Sequence, residues 1–170
     1  MYEEAKKQVE KILKQFSINS TPIDVEKIVN ELGIEISYAP STKYSGMLIK
    51  KTDGKVLMGI NNDEGTGRMR FTTAHELGHY ILYPNESVTI DYRTKEYITE
   101  KPKKEKIVDF FAANLLMPEV LVRNDFKKVI KNKIFFEQDL VELSNRYQVS
   151  RDAMKWRLIN LKLIPSESAG

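Results

Sequence analysis

The feature that most constrains this chain is the run from Arg70 to Leu82, which carries both of its histidines. If the run is helical, with about 3.6 residues per turn, His75 and His79 lie one turn apart on the same face. Glu76 then projects beside them. The other residues of the run include an apolar set that would bury the helix in a core: Phe71, Ala74, Leu77, Gly78, Ile81 and Leu82. The sequence therefore predicts a buried helix whose central turn can bind a metal ion.

This spacing is the H-E-x-x-H pattern, in which two histidines hold zinc and the glutamate acts as a general base. The alternative is a partly buried helix whose two histidines bind backbone carbonyls. Two observations favour the metal: the chain has no third histidine, and Gly78 leaves room for another element to approach this turn closely. We expect His75 and His79 to be metal ligands and Glu76 to be the general base.

Two histidines leave a zinc ion short of protein ligands, and an acidic helix further along the chain can supply a third. Residues 105–118 return to helical periodicity, with Glu105 and Asp109 one turn apart on one face. We predict that the Glu105 carboxylate is the third ligand, which leaves a fourth position for water. Asp109 would accept the remaining ring N–H of a ligating histidine. The alternative is an acidic pair on the surface, flanked by lysines.

Three short runs before the metal-binding helix predict a small antiparallel sheet of three strands, and hence an α+β fold. Residues 34–38 alternate between apolar and polar side chains. Residues 46–50 and 55–60 flank Asp53-Gly54, a dipeptide typical of a hairpin turn. Apolar spacings of three and four predict further helices at 2–16, 23–32, 120–131, 135–147 and 150–161.

Two finer features of the chain also yield predictions. Thr21 and Pro22 are suited to open the second helix, as a hydroxyl cap followed by proline at the first helical position. Residues 83–104 have little periodicity and indicate a loop, either functional or simply solvated. Tyr92 and Tyr97 in this loop are candidates for stabilising an oxyanion.

The C-terminal part has the spacing of a helix-turn-helix. Ser150 would cap a second helix that bears Arg151, Lys155 and Arg157. Contact with DNA is one interpretation of these basic residues, and ordinary packing of a helix pair is the other. A net charge of +3 is too small to argue for nucleic acid by itself. We divide the chain into a metallopeptidase core at 1–122, a helical region at 123–164 and a flexible tail at 165–170.

Composition limits the compartment and the chemistry. The chain has no cysteine, which excludes a disulfide framework, a thiol nucleophile and thiolate ligands. No apolar run approaches the roughly 18 residues of a membrane helix, and the charged N-terminus lacks the apolar region of a secretory signal. We expect a cytoplasmic protein that is not bound to a membrane.

The chain resembles the ImmA/IrrE-type metallopeptidases. The resemblance rests on the run from Arg70 to His79 and on the run from Phe111 to Pro118. It is supported by the segments from Pro22 to Ile34 and from Val149 to Leu158. It implies a reduced gluzincin-like core, in which the small sheet packs with the H-E-x-x-H helix and a ligand-bearing helix, followed by a helical part that resembles a helix-turn-helix.

The resemblance also assigns roles to individual residues: zinc ligands His75, His79 and Glu105, and general base Glu76. Family members commonly carry a second glutamate at the position of Ile107, asparagine at that of Asp109 and histidine at that of Tyr83. Because Ile107 has no donor atom, the departure there strengthens the assignment to Glu105. Asp109 keeps a hydrogen-bond acceptor.

By this resemblance the chain would be a zinc-dependent endopeptidase inside a bacterial cell. Its substrate would be a helix-turn-helix transcriptional repressor, whose cleavage releases genes of a mobile element or of a stress response. The alternative is a transcriptional regulator that binds DNA or a partner and holds a non-catalytic metal. Manganese and iron are further candidates for the metal in the cell.

Overall fold

The structure is a computed structural model that describes residues 1–93, 101–130 and 134–166. These residues form seven helices: α1 Tyr2–Gln15, α2 Val25–Glu31, α3 Thr66–Leu82, α4 Lys103–Leu116, α5 Glu119–Val129, α6 Glu137–Tyr147 and α7 Arg151–Asn160. They also form four strands: β1 Ile34–Ala39, β2 Tyr44–Lys50, β3 Val56–Asn61 and β4 Val88–Tyr92. Within the described ranges, no helix is long and apolar enough to cross a membrane.

The α+β class is confirmed, but the prediction of a three-stranded antiparallel sheet was wrong. The strand order is β1-β3-β2-β4, and β1 runs parallel to β3 while β2 is antiparallel to both of its neighbours. The β2–β3 hairpin forms as predicted, and Gly54 adopts a positive φ of 87° in its turn. Asn61 is buried at the end of β3, where it lies beside Ala39 of β1. Its amide nitrogen donates to the carbonyl oxygens of Ser41 (2.8 Å) and Tyr44 (3.1 Å) and so holds the β1–β2 connection.

The fourth strand lies where we predicted a loop. In β4 the inward positions are polar, since Thr89 and Asp91 are buried while Val88 and Tyr92 are exposed. The usual pattern of apolar residues facing inward is therefore inverted, which explains why the sequence pattern did not predict a strand here. Tyr97 of the predicted loop and residues 167–170 of the predicted tail lie outside the described residues.

The second helix also begins later than predicted. The N-cap is Asp24, whose side chain accepts a hydrogen bond from the backbone nitrogen of Lys27 at 2.9 Å. Thr21 and Pro22 precede this cap and do not open the helix. Gly33 follows the helix with a positive φ of 77° and leads into β1.

Helix α3 lies at the centre of the molecule and packs most extensively against α4. The contact is close at Gly78, where an added Cβ would lie 2.9 Å from Cγ1 of Val108 and 3.0 Å from Cδ1 of Phe111. A residue with a side chain at this position would require Val108 or Phe111 to shift. The buried core continues from these helices into α5, α6 and α7, through Val122, Leu143 and Leu158.

Candidate metal centre

The structure brings His75, His79 and Glu105 together at the contact between α3 and α4. Atom Nε2 of His75 and atom Nε2 of His79 are 3.2 Å apart, and each lies 3.1 Å from Oε2 of Glu105. All three residues are buried, with 1%, 2% and 5% of their surfaces exposed. These three donors could hold one metal ion.

The separations of the donor atoms fit a tetrahedral ion. Ligand atoms about 2.0–2.1 Å from zinc, at tetrahedral angles, lie about 3.3 Å from one another. Two imidazole nitrogens and one carboxylate oxygen also match the donor set of catalytic zinc sites, which leave one position open. Ile107, two residues beyond Glu105, is in the core with 2% of its surface exposed.

Asp109 contacts the other side of the His75 ring. Its Oδ1 lies 2.8 Å from Nδ1 of His75, and its Oδ2 accepts from Nζ of Lys101 at 2.9 Å. This contact directs Nε2 of His75 toward Glu105 and His79. Asp109 therefore lies where a carboxylate can orient the His75 ring, and its role beside a metal ligand stays a prediction.

The ionisation of these groups is strongly shifted. Burial alone would lower the pKa of His75, but hydrogen bonds to Asp109 and Glu105 raise it to about 10. Burial opposes the charged form of Glu105, yet the hydrogen bonds to both histidines hold the pKa of its carboxyl well below the usual range. A proton and a metal ion therefore compete for Nε2 of His75.

Glu76 lies beside the donors on α3 and is fully buried. Its Oε2 accepts a hydrogen bond from Oγ1 of Thr89 at 2.9 Å, while its Oε1 has no hydrogen-bond partner among the described residues. Strand β2 passes over this side chain at Gly46, where an added Cβ would lie 3.0 Å from Oε1. Burial raises the pKa of Glu76 to about 7, against the charge of His75 and the Thr89 hydrogen bond, which both lower it.

Thr89 is a site residue that the sequence analysis missed. The signal that could have found it is the alternation in Val88-Thr89-Ile90-Asp91, read as a strand with its polar face turned inward. Tyr92, which we considered for the oxyanion, lies on the same strand and is 46% exposed.

The structure does not place Arg157 on the surface with the other basic residues of the C-terminal helices. Its side chain is 6% exposed, and it donates from Nε to the carbonyl oxygen of Met117 and from Nη2 to Oδ1 of Asn114, both at 2.9 Å. This guanidinium therefore holds the C-terminal end of α4. Arg151 is exposed, and Ser150 caps α7 as predicted.

Comparisons with known proteins add the family and the fold. A family model described as the IrrE N-terminal-like domain, Peptidase_M78, matches residues 29–158, which is more than half of the chain. No curated protein matches. Among solved structures, a Mycobacterium tuberculosis transcriptional regulator is similar, with a TM-score of 0.62 and 14% sequence identity. The similarity covers 92% of this chain but only 46% of that one, so this chain spans less than half of that protein's length, and at such identity only the fold is shown.

Proposed function

The chain belongs to the Peptidase_M78 family, and from this premise we propose that it is a zinc-dependent endopeptidase. Its substrate would be a protein in the cytoplasm, specifically a helix-turn-helix transcriptional repressor. Cleavage would relieve repression of genes of a mobile element or a stress response. The substrate and the setting are those implied by the family resemblance.

One observation carries the proposal: three buried donors converge to within 3.2 Å, next to a buried carboxylate with one oxygen unpaired among the described residues. A structural ion pair needs no such spare acceptor. A general base needs one, because it must accept a proton during the reaction.

Each side chain of the site would have its own chemical role. A zinc ion held by His75, His79 and Glu105 would supply a Lewis acid, which polarises a peptide carbonyl and makes water more acidic. Oε1 of Glu76 would take the proton of the attacking water, because Oε2 is held by Thr89. The same carboxyl group would then deliver this proton to the leaving nitrogen.

The metal content of the purified protein tests the donor set. Elemental analysis should find about one zinc per chain in the parent and in Glu76→Gln, and little in His75→Ala or Glu105→Ala. Circular dichroism controls for folding of each variant. A parent that holds no metal after zinc is supplied would contradict the proposal.

Cleavage of a repressor tests the reaction. A helix-turn-helix repressor from the same genome is incubated with the zinc-loaded protein, and mass spectrometry should find two fragments that together make up its sequence. The Glu76→Gln protein, with zinc and fold intact, should produce neither fragment. Equal cleavage by both proteins would indicate a contaminating peptidase.

The alternative function, a regulator that binds DNA or a partner without turnover, makes a different prediction. Binding to duplex DNA would depend on sequence and weaken steeply with salt. Of the three basic residues that suggested it, Arg157 is buried and already holds α4. The matched experiment is a salt titration with duplex DNA from the promoter of this chain's own gene, using Arg151→Ala as the variant.

A further inference from the structure

Atom Nδ1 of His79 is a buried group without a hydrogen-bond partner among the described residues. The residue is 2% exposed, and its Nε2 atom lies 3.2 Å from Nε2 of His75 and 3.1 Å from Oε2 of Glu105. If Nε2 binds a metal, the ring proton must lie on Nδ1, because a neutral imidazole has one N–H and one lone pair. A buried N–H without an acceptor costs free energy. The acceptor that this N–H needs must therefore come from outside the three donor residues.

The carboxylate of Glu86 lies next to this atom. Its Oε2 is 3.8 Å from Nδ1 of His79, and the Glu86 side chain is 34% exposed. Hydrogen bonds from nitrogen to oxygen span about 2.7–3.2 Å, so a shift of about 1 Å brings the two atoms into contact. Rotation about the side-chain bonds of a glutamate allows such a shift without movement of the backbone. Glu86 is therefore within reach of the unpaired Nδ1 atom.

The backbone on either side of Glu86 is bound to the sheet. The N–H of Glu86 closes a turn by donating to the carbonyl oxygen of Tyr83 at 3.1 Å. Nζ of Lys50, on β2, donates to the same carbonyl oxygen at 2.9 Å. The backbone N–H of Lys50 donates to the carbonyl oxygen of Ser87 at 2.7 Å. Strand β2 therefore holds the turn that carries the Glu86 carboxylate.

A lysine next to one of the donor residues binds this carboxylate. Nζ of Lys104 donates to Oε1 of Glu86 at 2.9 Å and to Oε2 at 3.0 Å. The same Nζ lies 3.8 Å from Oε1 of Glu105. Lys104 therefore holds the Glu86 carboxylate close to the donor set.

His75 has the same arrangement with a shorter contact. Its Nδ1 lies 2.8 Å from Oδ1 of Asp109, and Oδ2 of Asp109 accepts from Nζ of Lys101 at 2.9 Å. Each histidine therefore faces a carboxylate that a lysine binds. The two arrangements differ in the distance to Nδ1, which is 2.8 Å for Asp109 and 3.8 Å for Glu86.

We propose that Glu86 is a positioning residue for His79, which accepts the hydrogen bond of the Nδ1–H group and so directs Nε2 toward the metal. The inference rests on the proposed zinc peptidase function. It extends to the second histidine the role that we assign to Asp109 at the first. Glu86 lies seven residues (86 minus 79) after His79, in a segment for which the sequence predicted only a loop.

Nuclear magnetic resonance of the full chain tests the contact directly. The chain has two histidines, so isotopic labelling of histidine gives signals from two imidazole rings alone. In the zinc-loaded parent, each ring should show an Nδ1 proton that exchanges slowly with water. Glu86→Ala should make the His79 proton exchange about tenfold faster or more, because its acceptor is lost, and should leave the His75 proton unchanged. Asp109→Ala should show the opposite pattern.

The affinity for zinc tests the positioning role. Competition with a chromophoric chelator should show a loss of about 10–100-fold in Glu86→Ala. Glu86→Gln keeps an acceptor oxygen without the charge and should retain most of the affinity. The matched control is Glu119→Ala, which removes a carboxylate of similar exposure, 37%, from a salt bridge with Arg123 on α5. This control should change neither the ring protons nor the affinity.

Two outcomes would overturn the role of Glu86 and leave the peptidase standing. The first is a Glu86→Ala protein that binds zinc as tightly as the parent or keeps the His79 proton unchanged. The second is an equal loss of affinity in Glu86→Gln and Glu86→Ala, which would assign the effect to charge and not to a hydrogen bond.

Failure of the peptidase is a separate result. A parent that binds zinc and shows the Glu86-dependent proton, but cleaves no repressor, would sustain the role of Glu86 and contradict the enzyme. A parent that takes up no zinc would contradict the peptidase, and the His79 proton of the zinc-free protein, with and without Glu86→Ala, would then decide the contact.

Discussion

At the residue scale, Asp109 fixes the orientation of the His75 ring and therefore the direction in which Nε2 faces. Asp109→Ala removes the acceptor 2.8 Å from Nδ1, and the affinity for zinc should fall by about 10–100-fold. Asp109→Asn is the matched control, because its amide oxygen still accepts and asparagine is common at this position in the family. Competition with a chromophoric chelator measures both. An alanine variant that binds zinc as tightly as the parent would contradict the orienting role.

Thr89 should act on turnover without acting on metal. Thr89→Val keeps the shape but removes the hydroxyl that donates to Oε2 of Glu76, so the rate of repressor cleavage should fall by about tenfold. The zinc content should stay the same. Thr89→Ser keeps the donor and should retain most of the rate. If the valine variant cleaves as fast as the parent, the hydroxyl does not position the base.

The residues of α3 could be predicted because helical geometry alone sets the relation between positions 75 and 79. Glu105 was predictable as a nearby carboxylate with a family counterpart, and its role as a metal ligand stays a prediction. The partners of Thr89 and Arg157 were not predictable from local pattern, because they lie 13 and 40 or more positions away. A buried charge such as Arg157 also breaks the general tendency of arginine to remain solvated.

At the scale of elements, the crossing of β2 over α3 depends on Gly46. Its missing side chain lets the strand approach Cγ2 of Thr72 and Oε1 of Glu76. Gly46→Ala should therefore destabilise the fold by about 1–3 kcal/mol, as measured by chemical denaturation. Thr72→Ser removes Cγ2 and should restore part of this loss in the double variant. No loss in Gly46→Ala would mean that the strand can move away freely.

The contact between α5 and α6 should be sensitive to acid. Asp125 accepts from Tyr147 at 2.9 Å and pairs with Arg146 at 3.0 Å. Burial alone would raise the pKa of Asp125, but hydrogen bonds from Lys128 and Tyr147 and the charge of Arg146 lower it. A lowered pKa in the folded state means that this stabilisation is complete above the ordinary pKa of 3.8 and is lost as the pH falls below it.

The corresponding experiment compares the free energy of unfolding at pH 7 and pH 3 in the parent and in Asp125→Asn. The parent should lose more stability between these values than the variant, which has no carboxylate to protonate there. Equal losses would show that Asp125 does not carry this pH dependence.

The elements themselves were largely predictable, because each depends on local periodicity and caps, and Ser150 is an example. The order of the strands was not, because β1 pairs with β3 and not with the strand that follows it, so that Ile34 lies beside Val56, 22 positions (56 minus 34) along the chain. The inward-facing polar side chains of β4 were not predicted either, because their partners lie on α3.

At the scale of the whole molecule, the described core continues from α1 to α7, and the C-terminal helices should unfold together with the metal-binding helices. Trp156 fluorescence reports α7 and far-ultraviolet circular dichroism reports all helices, and the two denaturation curves should coincide. Arg157→Met should shift both curves together, by about 2–3 kcal/mol. Arg151→Met, at an exposed position, should shift neither. A tryptophan transition at lower denaturant would show that the helical region at 123–164 unfolds separately.

Because Arg157 binds the C-terminal end of α4, the order of synthesis affects when the metal-binding helices are fixed in place. Glu105, the last of the three donors, is synthesised 52 residues (157 minus 105) before this arginine. At about 5–20 residues per second, the ribosome needs about 3–10 s to cover that distance. During this interval the nascent chain has all its donors but lacks the guanidinium that fixes the helix carrying one of them. The proteolytic activity proposed for this chain would therefore mature only after Arg157 has been synthesised and has bound the end of α4.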